Sequence, residues 1–243
     1  KAGLRLMNKD ADIANRVQQQ PYRPVASSLD FQLVRAKLQT MQKLPKESIA
    51  YFNDALGPHK FGNPIAQRYG LVTALMQNHQ LEHAAQEFIP LEKYVQTNAM
   101  ITTLAGQLRR AGAINDKNKI AFYRTATQNF PQHRALIYDY SEVLLEKKRF
   151  NETVTLLNRQ VALYPNDPHL YELQARTYAA LGRNQEEHHA LAYVYILRGN
   201  LRGAIEQLEL AKQAGNNFQE LSTIETELKQ FREIAAAREK KQR

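Results

Sequence analysis

Pro131 and Pro165 stand 34 residues apart, and the stretch after the second reads Tyr171, Ala175, Tyr178, Gly182. A second run of the same kind comes in Ala192, Tyr195, Gly199, Leu201, Ala204, Leu208 and Ala211. Positions i, i+3, i+4 and i+7 share one face of an α-helix, so Tyr171, Ala175 and Tyr178 form a stripe aimed at a partner helix. Ala175 and Ala204 let two backbones approach, and the aromatic rings fill the space beside them. Gly182 and Gly199 suit the positive φ that ends a helix. Pro165 falls just past one helix, and Pro168 near the start of the next, where a missing N–H costs nothing. A chain built this way folds as stacked helix-turn-helix units.

A 34-residue unit with an early aromatic, a small residue, a second aromatic, a turn glycine and a closing proline is the tetratricopeptide pattern. Unit starts near residues 29, 65, 98, 134 and 168 give steps of 36, 33, 36 and 34. Asp30 is expected to cap the first helix, Phe52 and Ala55 to hold the aromatic and small positions of the second, and Ala84, Phe88 and Leu91 to line the second helix of unit two. Gly182 and Gly199 lie only 17 residues apart, so the helix from Gln185 to Leu197 must serve two units. After Gly215, read as a helix C-cap, Phe218, Leu221, Ile224, Leu228, Phe231 and Ala235 give an amphipathic stripe that closes the stack. The expected fold is all-α: a right-handed tetratricopeptide superhelix of about six helix pairs. Residues 1–28 are expected to hold a short polar helix and linker, 29–215 the superhelix, and 216–243 a terminal helix with a basic tail.

The net charge of +9 raises nucleic acid as a partner, and its distribution argues against it. Residues 1–28 carry five Lys/Arg against two Asp, and residues 232–243 five against two Glu, which leaves +3 for everything between. A basic stripe along one face is missing. No apolar run is long enough to span a membrane, and mean hydropathy is −0.56. With no cysteine, disulfides and thiolate metal sites are excluded. The chain opens on Lys1 without an apolar leader, which suggests a processed or truncated piece whose targeting signal lies elsewhere.

His79, Glu82 and His83 spell H-x-x-E-H, a spacing that can place two histidines and a base around zinc on a continuous helix. His79, however, falls where Gly182 and Gly199 sit in later units, which puts it in a turn, and no third ligand comes after it. Solvated turn histidines are the reading favoured over a metal site. His188 and His189 likewise read as an exposed helix face.

The segment Arg5 to Ser28 leading into Leu29-Asp30-Phe31, the run Leu181-Gly182-Arg183-Asn184, and Tyr193 to Ala204 together resemble the tetratricopeptide region of the BepA-type periplasmic zinc metallopeptidases. The resemblance implies a periplasmic metallopeptidase and chaperone acting in outer-membrane quality control, with its H-E-x-x-H zinc site in an upstream domain. That motif is absent from these 243 residues, so no catalytic residue carries over and no cofactor is expected in this fragment. The repeats would then bind other proteins or extended polypeptide segments, with the outer-membrane β-barrel assembly machinery as the implied partner. The alternative is a free-standing repeat scaffold joining two proteins.

First helices of such pairs line the concave side of a superhelix. The register places Tyr69, Tyr138, Glu142, Arg176 and Tyr193 there, with Thr73, Thr102, Gly106, Glu172 and His189, and Arg109 one turn past Gly106. Aromatic rings with mixed charge suit a loosely held extended chain. If Tyr138 and Arg176 are exposed groove residues, replacing them leaves thermal stability nearly unchanged. The Lys/Asn set that clamps a C-terminal carboxylate is missing, so that ligand is not expected.

Overall fold

Five helix ends share one device. His79, Gly112, Lys148, Gly182 and Gly199 all have positive φ, between 55° and 80°. In each case the next residue's N–H reaches back five residues, as in Gln80 to Leu75, Arg149 to Leu144 and Arg183 to Tyr178, which satisfies carbonyls the helix leaves open. These turns set the repeat.

The computed structural model describes residues 28–57, 59–115, 117–215 and 218–242. Among them the regular elements are twelve α-helices and one 3-10 segment, with no strand. The helices are α1 (Leu29–Gln42), α2 (Pro45–Leu56), α3 (Pro64–Gln77), α4 (Leu81–Phe88), α5 (Ala99–Arg110) and α6 (Lys119–Asn129), then α7 (Arg134–Glu146), α8 (Phe150–Leu163), α9 (Pro168–Ala180), α10 (Asn184–Leu197), α11 (Leu201–Ala214) and α12 (Phe218–Gln242). The 3-10 segment is Ile89–Tyr94, directly after α4. The short helix expected over residues 4–20 lies outside the described residues.

Starts are encoded by caps. Asn63, Asn98, Asn118, Asp167 and Asn200 each accept a hydrogen bond from the first turn of the helix they precede, and Pro64 and Pro168 occupy the first helical position. The cap of α1 is Ser28, whose hydroxyl accepts from Phe31 N–H at 3.2 Å. Asp30, expected in that role, stands inside the first turn and instead accepts from the Asn98 side chain at 2.6 Å. A second departure is α4. Pro90 has no N–H to give and its ring excludes the carbonyl four residues back, so the helix stops at Phe88 and the chain continues as a 3-10 turn. Leu91 is still buried, but from that turn.

Successive first helices pack on one another (α1 on α3, α3 on α5, α5 on α7, α7 on α9), and each second helix also packs on the first helix that comes next. α10 packs along both α9 and α11, as the half-period glycine spacing requires. Ala175 and Ala204, only 3% and 0% exposed, sit at these contacts. α12 closes the stack by burying Ile224 and Leu228 against Ala192, Leu208 and Ala211. At the other end, Phe31, Leu38 and Met41 of α1 are not covered by any other described residue.

Among the described residues the buried apolar side chains fall in five clusters strung along the stack. One runs from Leu33 to Leu108 across α1 to α5. Smaller ones surround Tyr123 and Leu136, Ile137 and Leu170, Ala175 and Tyr178, and Leu208 and Ile224.

Candidate protein-binding surface

α7, α9 and α10 carry the side chains that define the surface. Glu142 on α7 faces Arg176 on α9, one period of 34 residues later, with N–O distances of 2.5 and 3.1 Å. The arginine side chain remains 56% exposed. Its paired hydrogen bonds, working against burial, hold the Glu142 carboxyl below the usual carboxylate range. The same face is tied on both sides. Arg110 of α5 reaches Asp139 at 3.0 Å and Glu146 at 3.2 Å on α7, and Arg198 beyond α10 pairs with Glu172 on α9. Burial raises the Asp139 carboxyl in spite of its arginine. A ladder of alternating charge thus runs from α5 to α10.

Tyrosines flank this ladder and are themselves held. The Tyr138 hydroxyl donates to the Asp167 carboxylate, and its ring meets His169 edge-on with centroids 4.6 Å apart. Burial first, then that hydrogen bond, pushes the Tyr138 phenol up to about 12. Asp167 is only 6% exposed because it serves three partners: the His169 N–H that it caps at 3.1 Å, Arg134 at 3.0 Å, and Tyr138. Tyr193 stacks on Tyr171 with centroids 4.8 Å apart and planes 8° from parallel.

Of the residues expected in the groove, Tyr138, Glu142, Arg176, Tyr193, Glu172 and His189 come together on these three helices. The other five, Tyr69 and Thr73 on α3 and Thr102, Gly106 and Arg109 on α5, do not join them. Tyr69 is 4% exposed and belongs to the first core cluster, and burial pushes its phenol up to about 12. Arg109 turns toward α6, where its guanidinium lies 4.2 Å from the Phe122 ring centroid and its Nη1 donates to the Ala105 carbonyl at 3.0 Å. A helix rotates about 100° per residue, so Arg110, not Arg109, meets α7. Tyr138 is also no free groove side chain. Thr102, too, is buried.

Arg110, Asp167, Arg198 and Glu227 were not anticipated. Arg110 and Glu146 are 36 residues apart, Arg134 and Asp167 33; opposite charges near one period apart are the signal that finds Arg110 and Asp167, whereas Arg198 and Glu172 are 26 apart and carry no such signal.

His79 has a φ of 59° in its turn, and His83 on α4 lies 4.0 Å from Glu87, which also binds Arg68. Among the described residues no three His, Asp or Glu side chains converge as metal ligands, and no helix is long and apolar enough to cross a membrane.

The sequence profile of the tetratricopeptide repeat matches residues 104–177. The beta-barrel assembly-enhancing protease of Escherichia coli (strain K12) is 28% identical over 209 residues, covering 83% of this chain and 41% of that protein. Its counterpart from Yersinia pestis is 25% identical over 201 residues, covering 80% of this chain and 40% of its own length. The chain therefore spans about two-fifths of the relatives it matches. A solved tetratricopeptide repeat protein from Parabacteroides merdae aligns with a TM-score of 0.46 at 14% identity, over 93% of this chain and 97% of that one. The chain is an all-α stack of helix pairs whose residues 104–177 match the tetratricopeptide repeat, and it is similar over 80% or more of its length to the beta-barrel assembly-enhancing proteases.

Proposed function

We propose that the chain is the partner-recognition part of a periplasmic metallopeptidase and chaperone, and that it docks on components of outer-membrane β-barrel assembly through the face formed by α7, α9 and α10. The observation that carries this is the Glu142–Arg176 pair. It is partly exposed and joins the first helices of successive units, with the partly exposed rings of Tyr138 and Tyr193 alongside. An incoming strand can exchange its own charges for the pair and lay its side chains on the rings. The assembly partner is supported by the relatives' name, beta-barrel assembly-enhancing protease. Hydrolysis and its zinc belong to a region outside these residues, and no side chain here is assigned to either.

Replacing both members of the pair, Glu142→Ala with Arg176→Ala, leaves no charge stranded and tests the face. Immobilised wild-type chain should retain purified β-barrel assembly components, and the double variant should retain them about tenfold less or worse. Equal retention by a normally melting double variant places the contact elsewhere on the stack.

A further inference from the structure

α1 is apolar on two opposite faces. Leu33 and Ala36 are buried in the stack, while Phe31, Val34, Leu38 and Met41, on the far side of the helix, are 45% to 70% exposed. Leu44, in the turn that follows, is exposed as well. The outward residues are spaced by 3, 4 and 3, the a/d seam by which one helix packs along another. The last helix of the stack is different. The exposed side of α12 is polar, with Ser222, Glu225, Thr226, Lys229 and Gln230, as a stack end left to water requires. An apolar stripe on the outside of a terminal helix marks a contact site instead.

The rim of the stripe is basic. A shallow cleft of about 360 Å³ along it has Arg35 and Lys43 in its lining, and Lys37 stands on the opposite flank of the helix. Arg35 and Lys37 pair with no carboxylate among the described residues. The Lys43 ammonium lies 4.8 Å from the Tyr51 ring centroid, a contact that leaves its charge in place. Against these three cations stands one carboxylate, Asp30, which accepts from the Asn98 side chain. Lys46 and Glu47, past Leu44, offset each other.

From this geometry we infer that the outer face of α1 docks an amphipathic helix of another polypeptide, one whose apolar heptad seam is flanked by Asp and Glu. The seam lies along Phe31, Val34, Leu38 and Met41, as a helix lies in a groove, and the flanking carboxylates meet Arg35 and Lys43. The contact is separate from the α7–α9–α10 face. Charge selects this occupant over two nearer ones. In a symmetric pair of copies the basic rim would meet another basic rim, and residues 1–28 of the chain, with five Lys/Arg against two Asp, are positive too.

The test is selection on the immobilised full chain from phage-displayed helices of about 20 residues, with Leu fixed at the a and d positions and the flanking positions random. Selected helices should be enriched in Asp and Glu at the flanks. As labelled synthetic peptides in anisotropy titrations, their affinity should fall about tenfold or more with Leu38→Ser plus Met41→Ser, which removes the seam. Arg35→Glu plus Lys43→Glu, which reverses the rim, should cost as much and should shift preference to the same peptides carrying Lys in place of their flanking acids. All four positions are exposed, so both variants should melt as the wild type does. Glu142→Ala with Arg176→Ala should leave the affinity unchanged. Three results overturn the inference: no helix selected, selection without acidic flanks, or affinity indifferent to Leu38→Ser plus Met41→Ser. A wild-type chain that sediments as a dimer and becomes a monomer in that variant also overturns it and gives the face to a second copy. A melting temperature lowered by that variant, in a chain that selects no helix, gives the face to the chain's own residues. Affinity lost only in the Glu142/Arg176 variant moves the contact to the α7–α9–α10 face and overturns the inference as well.

Discussion

The Tyr193 hydroxyl donates to the Glu227 carboxylate at 2.6 Å across a separation of 34 residues, the interval that also separates Glu142 from Arg176. His189 reaches the same carboxylate at 2.8 Å. α12 is therefore latched to α10 as well as packed on α11.

Acid should release that latch. Burial alone would raise the Glu227 carboxyl, but the hydrogen bonds from His189 and Tyr193 together outweigh it and hold it below the usual carboxylate range. A depressed folded value contributes stability that is complete above the ordinary glutamate pKa of about 4.3 and is lost as pH falls through the folded value. Glu227→Gln should therefore lower stability by about 1 to 2 kcal/mol at neutral pH and make little difference near pH ~2. A melting deficit of the same size at both pH values would refute the linkage.

Tyr138 contributes in the opposite direction. Its phenol is raised to about 12, so its contribution is full below the ordinary tyrosine value of about 10 and is lost as pH rises through the folded value. Tyr138→Phe should cost about 0.5 to 1.5 kcal/mol at neutral pH, and one late-titrating tyrosine should vanish from an ultraviolet pH titration. Loss instead of a tyrosine that titrates near the ordinary value of about 10 would mean the bond to Asp167 is not made in solution.

Arg176 and Tyr138 should separate in thermal melts. Arg176→Ala removes an exposed ion pair and is expected to cost no more than about 1 kcal/mol. Tyr138→Ala, which strips the His169 contact and the Asp167 bond together, should cost clearly more. Equal melting temperatures for the two variants would return Tyr138 to the status of a free groove side chain.

The left-handed turn residues invite a reciprocal exchange. Lys148 has a φ of 55° and Gly182 one of 69°. Lys148→Gly should raise stability by about 0.5 to 1 kcal/mol by removing the steric penalty, and Gly182→Ala should lower it by about 1 kcal/mol. A loss on Lys148→Gly would show that the side chain, and not the backbone, holds that turn.

Close helix contacts supply a further test. A Cβ on Gly106 would stand 2.6 Å from the Tyr123 hydroxyl, and Ala204 is fully buried. Gly106→Ala and Ala204→Leu should each cost about 1 to 3 kcal/mol by overpacking. Denaturant midpoints matching the wild type would place both residues away from the contact.

The repeat could be read from the sequence because its signals are local: the glycines with positive φ, the small residues at Ala175 and Ala204, and the Asn and Pro starts act within one turn of where they stand. Periodicity placed Tyr138, Glu142, Glu172, Arg176, His189 and Tyr193 on one surface. Glu142 and Arg176 carry opposite charge at one-period spacing, so both periodicity and electrostatics point to them. Tyr69 and Arg109 were placed by periodicity alone. An error of one residue turns a side chain about 100° around a helix, enough to move a ring from the surface to the core. The end of α4 was written in Pro90 and was masked by the apolar spacing of Ala84, Phe88 and Leu91, which a 3-10 turn can bury as well as a helix can.

The division of the apolar core into successive clusters gives the chain a mechanical character that a single core would lack. Each unit holds mainly to its neighbours, so tension applied between the two ends is borne in series. The bonds do not share it all at once. An optical-trap extension trace should therefore rise and drop in steps, and the molecule would behave under load as a spring that lengthens by increments and can recoil.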